Sequence, residues 1–161
     1  MSTGASAIRV RGGEAGGGRT WIHGCLGGAP DGVAGAGRSR HDFSRSAVAA
    51  SVHRSLKRLG IDLLDGVLLH SDGDDAAVID RSGGLDALRD LKRAGAVRAV
   101  GVSTKTLGGA MLAIERGVDV VMLTYNAAEP GEGPAIDAAR AAGVGVLVKK
   151  ALASGHVDRV G

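Results

Sequence analysis

One order of signals recurs along this chain and restricts its fold more than any other feature. An amphipathic stretch is followed by a glycine, and the glycine by a short aliphatic run. Ser44 or Ser46 can cap a first helix in which Val48, Val52, Leu56 and Leu59 recur at helical spacing. Gly60 ends it, and LLDGVLL (63–69) follows. Leu85, Leu88 and Leu91 make a second stripe that Gly95 closes before VRAVGV (97–102). A helix through Met111, Leu112 and Ile114 stops at Gly117, ahead of VDVVML (118–123). A helix through Ile136 and Ala139 stops at Gly143, ahead of VGVLV (144–148). The residue after a helix often takes the left-handed conformation, where glycine alone escapes the Cβ penalty. The strands are almost wholly aliphatic, as strands covered on both faces are. Alternating helices and strands with short links predict parallel strands joined by right-handed crossovers.

Two architectures share this pattern, an open doubly wound sheet and a (β/α)8 barrel. Both place function at the C-terminal ends of the strands. The N-terminal part lacks the pattern. Twelve of the 28 glycines fall in the first forty residues. Residues 1–19 hold Gly, Ser, Ala and Arg with little apolar content, and are expected to be a disordered head. TWIHGCL (20–26) has the composition of a short strand, and residues 27–42 read as loop. The run GGEAGGG suggests a dinucleotide fingerprint, but no strand is predicted before it and no periodic helix after it.

Composition narrows the functional classes. Twenty basic and 17 acidic residues leave a net charge of +3, with the basic residues spread along the chain. The aromatics are only Trp21, Phe43 and Tyr125. Nucleic acid is therefore not expected as a partner. No apolar run approaches the ~18 residues of a membrane helix, and no secretory signal is visible at the N-terminus. The single cysteine, Cys25, cannot form an internal disulfide, which favours a reducing, cytoplasmic setting. The five histidines show no paired spacing, so no metal site is expected.

The strand ends carry the chemistry. They read LLHSDGDD (68–75), GVSTKT (101–106), MLTYNAAEP (122–130) and VKKALASGH (148–156). His70, at a strand mouth, is suited to donate to a carbonyl or move a proton, or simply to rest on backbone partners. Ser103, Thr104 and Lys105 can hold an amide and a phosphate, although Thr104 or Thr106 can equally cap the next helix. Of Lys149 and Lys150, adjacent on a strand, only one can point into a barrel, where it suits an anionic cofactor. Asp72, Asp74 and Asp75 read as a solvated acidic turn, without the spacing of a calcium loop.

In these segments the chain resembles the aldo-keto reductase family. SLKRLGIDLLDGVLLHS (55–71), GAVRAVGVST (95–104), VDVVMLTYNAAEP (118–130) and GVGVLVKKALASGHV (143–157) are similar in order and spacing to the family's motifs for strands four to seven. The wording is closest to a bacterial branch, and the likeness covers roughly residues 44–157. It implies a (β/α)8 barrel that uses NADPH to reduce aldehydes and ketones. His70 matches the histidine that orients the substrate carbonyl. Ser103 and Thr104 match the Ser-Asn pair that holds the nicotinamide carboxamide, with Thr in place of Asn. Met122 stands where many members carry a Gln to the same group. Lys149 falls where many stack an aromatic on the nicotinamide. Tyr125 belongs to the strand-six motif.

The same likeness marks departures. Family members protonate the carbonyl oxygen with a Tyr, assisted by an Asp and a Lys from the first three strands. Tyr125 is the only Tyr here, and the strand-three Lys falls within IHGCLG (22–27), where Cys25 or a neighbour stands. A full barrel takes about 250 residues; this chain has 161. Residues 20–161 are therefore expected to form a partial barrel of four to five parallel β/α units, and the 2′-phosphate loop would lie beyond Gly161. The resulting expectation is a truncated reductase with little activity alone, prone to self-association through open sheet edges. A non-catalytic relative that binds a nucleotide or a partner is the alternative.

Overall fold

The computed structural model describes residues 6–10, 19–24 and 41–153. Its elements run β1 (Ser6–Val10), β2 (Arg19–Gly24), α1 (Arg45–Leu59), β3 (Leu64–His70), a π-helical turn (Ala77–Arg81), α2 (Gly84–Arg93), β4 (Val97–Ser103), α3 (Leu107–Glu115), β5 (Val120–Thr124), α4 (Gly133–Ala142) and β6 (Gly145–Lys149). The four predicted helix–strand units are all present. Their strands end one residue further on than the aliphatic runs suggest, so His70, Ser103, Thr124 and Lys149 close strands rather than follow them.

The six strands among the described residues form one sheet in the order β1-β2-β3-β4-β5-β6. From β2 to β6 every pair is parallel. Each new strand adds on the same side of the last. A doubly wound sheet reverses its order at a switch point; this one does not, and it has the winding of a barrel segment. β1 pairs antiparallel with β2. Within the head expected to be disordered, Ser6–Val10 and Arg19 are placed in strands. The remainder of that head, residues 1–5 and 11–18, lies outside the described residues, as do Cys25 and most of the predicted 27–42 loop.

Strand parity separates two faces. Val67, Leu69, Val100, Val102, Val121 and Leu123 point to the helix side and join the hydrophobic core with Val48, Val52, Leu85 and Leu88. The other face carries Leu68 and His70, then Gly101 and Ser103, Val120 and Met122, Leu147 and Lys149. In register, His70 lies beside Ser103, Ser103 beside Met122, and Met122 beside Leu147. The inner row nearest the strand ends is thus His70, Ser103, Met122 and Leu147, and Lys149 stands one inward position beyond Leu147.

The helix signals have the predicted causes. Ser44, not Ser46, caps α1, its hydroxyl accepting from the Ala47 N–H at 3.4 Å. Gly60 and Gly143 close α1 and α4 with left-handed φ of 65° and 70°. α2 buries Leu85, Leu88 and Leu91 and packs on α1 and β4. Fully burying one such leucine is worth about 2 kcal/mol. Among the described residues, no helix is long and apolar enough to cross a membrane.

Candidate active site

The chemistry gathers at the C-terminal mouth of β3, β4 and β6. His70 ends β3 and Ser103 ends β4, and their pairing sets the imidazole Nδ1 3.1 Å from the Ser103 hydroxyl. Lys105, two residues past β4, brings its Nζ to 3.2 Å from the other ring nitrogen, Nε2. Lys149 reaches back from β6, across β5, and donates to Ser103 Oγ at 3.3 Å and to the Thr104 carbonyl. An ammonium has no lone pair. While Lys105 is charged, His70 Nε2 accepts from it, so Nδ1 carries the proton and donates to Ser103. Ser103 then accepts from both His70 and Lys149.

The other predicted residues fall around this cluster in different ways. Thr104 is fully buried; its N–H donates to the Met122 carbonyl at 3.0 Å, and its hydroxyl lies 3.5 Å from the same oxygen. Met122 shares the inner face with Ser103. Tyr125 follows β5 and is more than a third exposed, against the position of Gly133. Lys150 is exposed, with a left-handed φ of 56°, and its carbonyl accepts from Asn126 Nδ2 at 3.0 Å. Of the two adjacent lysines, Lys149 is the one that enters the site, and Lys150 contributes charge at the rim.

Asp75 corrects the expectation of a solvated turn. It is only 5% exposed and accepts from the backbone N–H of Lys105 and Thr106 and from the Thr106 hydroxyl at 2.7 Å. Thr106 in turn caps α3, accepting from the Gly109 N–H at 3.0 Å. A Cβ at Gly109 would stand 2.0 Å from the Asp75 carboxylate. Gly109 is therefore the residue that lets the carboxylate in. Through this clasp the β3–α2 loop fixes the start of the Lys105 side chain.

Glu132 is a second residue that the motifs do not mark. Its Oε1 accepts from the Thr124 N–H at 3.3 Å, and its Oε2 is buried with no hydrogen-bond partner among the described residues. Burial holds the Glu132 carboxyl above the usual carboxylate range, with the Thr124 N–H and the Lys149 charge acting the other way. Lys149 is displaced in the complementary direction. Burial, and then the neighbouring Lys105 charge, lower its affinity for a proton, while Glu132 and Asp75 oppose them. An amine and a carboxyl each held nearer neutrality thus lie by the neighbouring ends of β5 and β6, where Thr124 pairs with Lys149. Among the described residues no group of acidic, histidine or cysteine side chains could hold a metal ion.

This arrangement can orient a polar oxygen between an imidazole and two amines. A sequential parallel β/α sheet of this winding defines part of a (β/α)8 barrel. The chain belongs to the aldo/keto reductase family, whose model matches residues 32–160. A crystallised aldo-keto reductase of Pseudomonas aeruginosa shares 45% identity with it at a TM-score of 0.70, over 74% of this chain and 47% of that one. One from Bacillus halodurans, in its holo form, shares 26% identity at a TM-score of 0.62, over 71% and 39%. A Bombyx mori aldo-keto reductase in complex with NADP has the same fold at 21% identity and a TM-score of 0.53, over 66% and 37%. The chain spans less than half the length of each of these solved structures. No match is found among curated proteins.

Proposed function

We propose that the chain is the His70-bearing part of an NADPH-dependent reductase of small aldehydes or ketones. The observation that supports this most is the joining of His70, Ser103 and Lys149 on one inner face, through contacts of 3.1 and 3.3 Å. A carbonyl oxygen that takes the place of the Lys105 amine would meet an Nε2–H, with Nδ1 then accepting from the Ser103 hydroxyl, so the imidazole would orient and polarise it. Lys105, Lys149 and Lys150 suit the phosphates of an anionic cofactor. Ser103, with Thr104 and Met122 beside it, would hold the nicotinamide carboxamide, and Tyr125 would lie along its rim. Ser103 is fully buried beneath its present partners, so a carboxamide would displace the Lys149 amine from it. NADPH, when bound, supplies the hydride.

The proton on the carbonyl oxygen is the weak point. Tyr125 is the only tyrosine, and loss of a catalytic acid commonly costs about 10²–10⁴-fold. Turnover by the 161-residue chain alone is therefore expected to be slight, in a cytoplasmic setting. Titration with NADPH, read by cofactor fluorescence, tests the reading. Binding that weakens in Ser103→Ala supports it, and absence of binding at millimolar cofactor overturns it. Steady-state reduction of 4-nitrobenzaldehyde by the same chain measures the remaining activity.

A further inference from the structure

We propose that Lys149 is a nucleophilic amine that condenses with small aldehydes, forming a Schiff base at the barrel mouth. Three features of its setting carry this. The side chain is half-buried on the inner face, while the other end of the mouth is formed by His70 and Lys105. Its Nζ is held on one side by two acceptors, Ser103 Oγ and the Thr104 carbonyl. A neutral amine that donates twice keeps its lone pair for attack. A second cation, Lys105, stands at the far side of His70 and Ser103, and its charge disfavours the ammonium form of Lys149.

The charged groups facing Lys149 are Lys105 past β4, Glu132 before α4, Asp75 in the β3–α2 loop and Lys150 beside it; His70 is the titratable group beyond Ser103. Burial and Lys105 favour the free amine, and the two carboxyl groups disfavour it. The nearer carboxyl, Glu132, is itself held toward its neutral form by burial. The balance leaves the amine less basic than an ordinary lysine.

The step needs no oxidant or reductant. The Lys149 lone pair attacks the carbonyl carbon, a C–N bond forms, and the C=O π pair moves to oxygen, which takes a proton from the attacking nitrogen. The carbinolamine then loses that oxygen as water, with the second proton delivered by the Lys105 ammonium through the His70 end of the site. The nitrogen pair closes the C=N bond, leaving a protonated imine on Lys149 and a neutral amine on Lys105. The proposal requires neither hydride transfer nor a nucleotide.

The test is reductive trapping. The chain is incubated with propionaldehyde and cyanoborohydride at neutral pH, without nucleotide, and the adduct at each of the five lysines is followed by peptide mass mapping. Lys149 is expected to be alkylated about tenfold faster than the exposed Lys57. Lys105→Gln should slow Lys149 at neutral pH. Lys149→Arg should remove the fast phase and leave the slow lysines as they are. Equal rates at Lys149 and Lys57 in the unsubstituted protein would overturn the proposal without requiring any variant to fold. So would a Lys105→Gln protein, folded by circular dichroism, in which Lys149 reacts as fast as before. A separate arm with NADPH present reads the reductase proposal, since a bound nicotinamide should shield Lys149; the two readings can fail independently.

Discussion

The sheet is unequal along its width. β3 and β4 are seven residues each, and their helix-facing positions are sealed, with Val67, Leu69 and Val102 fully buried. β6 is five residues, and none of its positions is buried; Val148 is 44% exposed. The site straddles this difference. His70 and Ser103 sit on packed strands whose register cannot slip without exposing a core face. Lys149 sits on the lightly covered one, at the edge of the described sheet.

Substitutions can break this comparison. The largest effect is expected at Gly101 on β4, where a Cβ would stand 2.0 Å from the Val120 carbonyl oxygen. Gly101→Ala should cost about 4 kcal/mol, read as loss of the urea transition or of soluble protein. Leu69→Ala on β3 should cost about 3 kcal/mol by cavity formation, measured as a lower urea midpoint at unchanged slope. Asp75→Ala should cost about 2 kcal/mol, because it leaves the N–H groups of Lys105 and Thr106 without their acceptor. Amide exchange should then accelerate first at those two residues. Val148→Ala on β6 should cost no more than about 0.5 kcal/mol. If Val148→Ala and Leu69→Ala cost the same, the contrast between the strands is wrong.

The smallest expected effect concerns pH. Burial raises the Glu132 carboxyl. The folded chain therefore keeps this proton to higher pH than the unfolded chain does, and stability falls as pH rises through that interval. Glu132→Gln retains the acceptor for Thr124 and removes the titration. Parent and variant should melt alike in acid, below the ordinary glutamate range, and the variant should be the more stable at neutral pH. Thermal melts across the acid limb, with parallel curves, would refute it.

Much of this was legible in the sequence because the signals are local. A glycine after an apolar stripe announces the left-handed turn that ends a helix, and Gly60, Gly95, Gly117 and Gly143 all have positive φ. An aliphatic run that stops at a polar residue announces a strand mouth, which placed His70, Ser103 and Lys149 before any contact between them was known. Strand order was less accessible, since barrel and doubly wound sheets share their local grammar; the winding shows only once strands are paired. Asp75 was missed for a different reason. An aspartate in HSDGDD has the composition of a solvated turn, and what buries it is a partner thirty residues later in the chain. Glu132 was missed likewise, because its setting is made by Thr124 and Lys149 from separate strands.

The clasp of Asp75 on Lys105 and Thr106 has a consequence for how such a barrel can be assembled from parts. Each β/α unit has the look of an exchangeable module, with its own helix stop and its own strand. Yet the third helix begins on a cap whose counter-charge belongs to the preceding unit, and Gly109 is shaped to that visitor. A chimaera spliced between α2 and β4 would part the carboxylate from its donors, even with every helix and strand intact. Grafts cut after Gly109 would keep the clasp and the gap that admits it together, so the natural seam of exchange lies inside the first turn of α3.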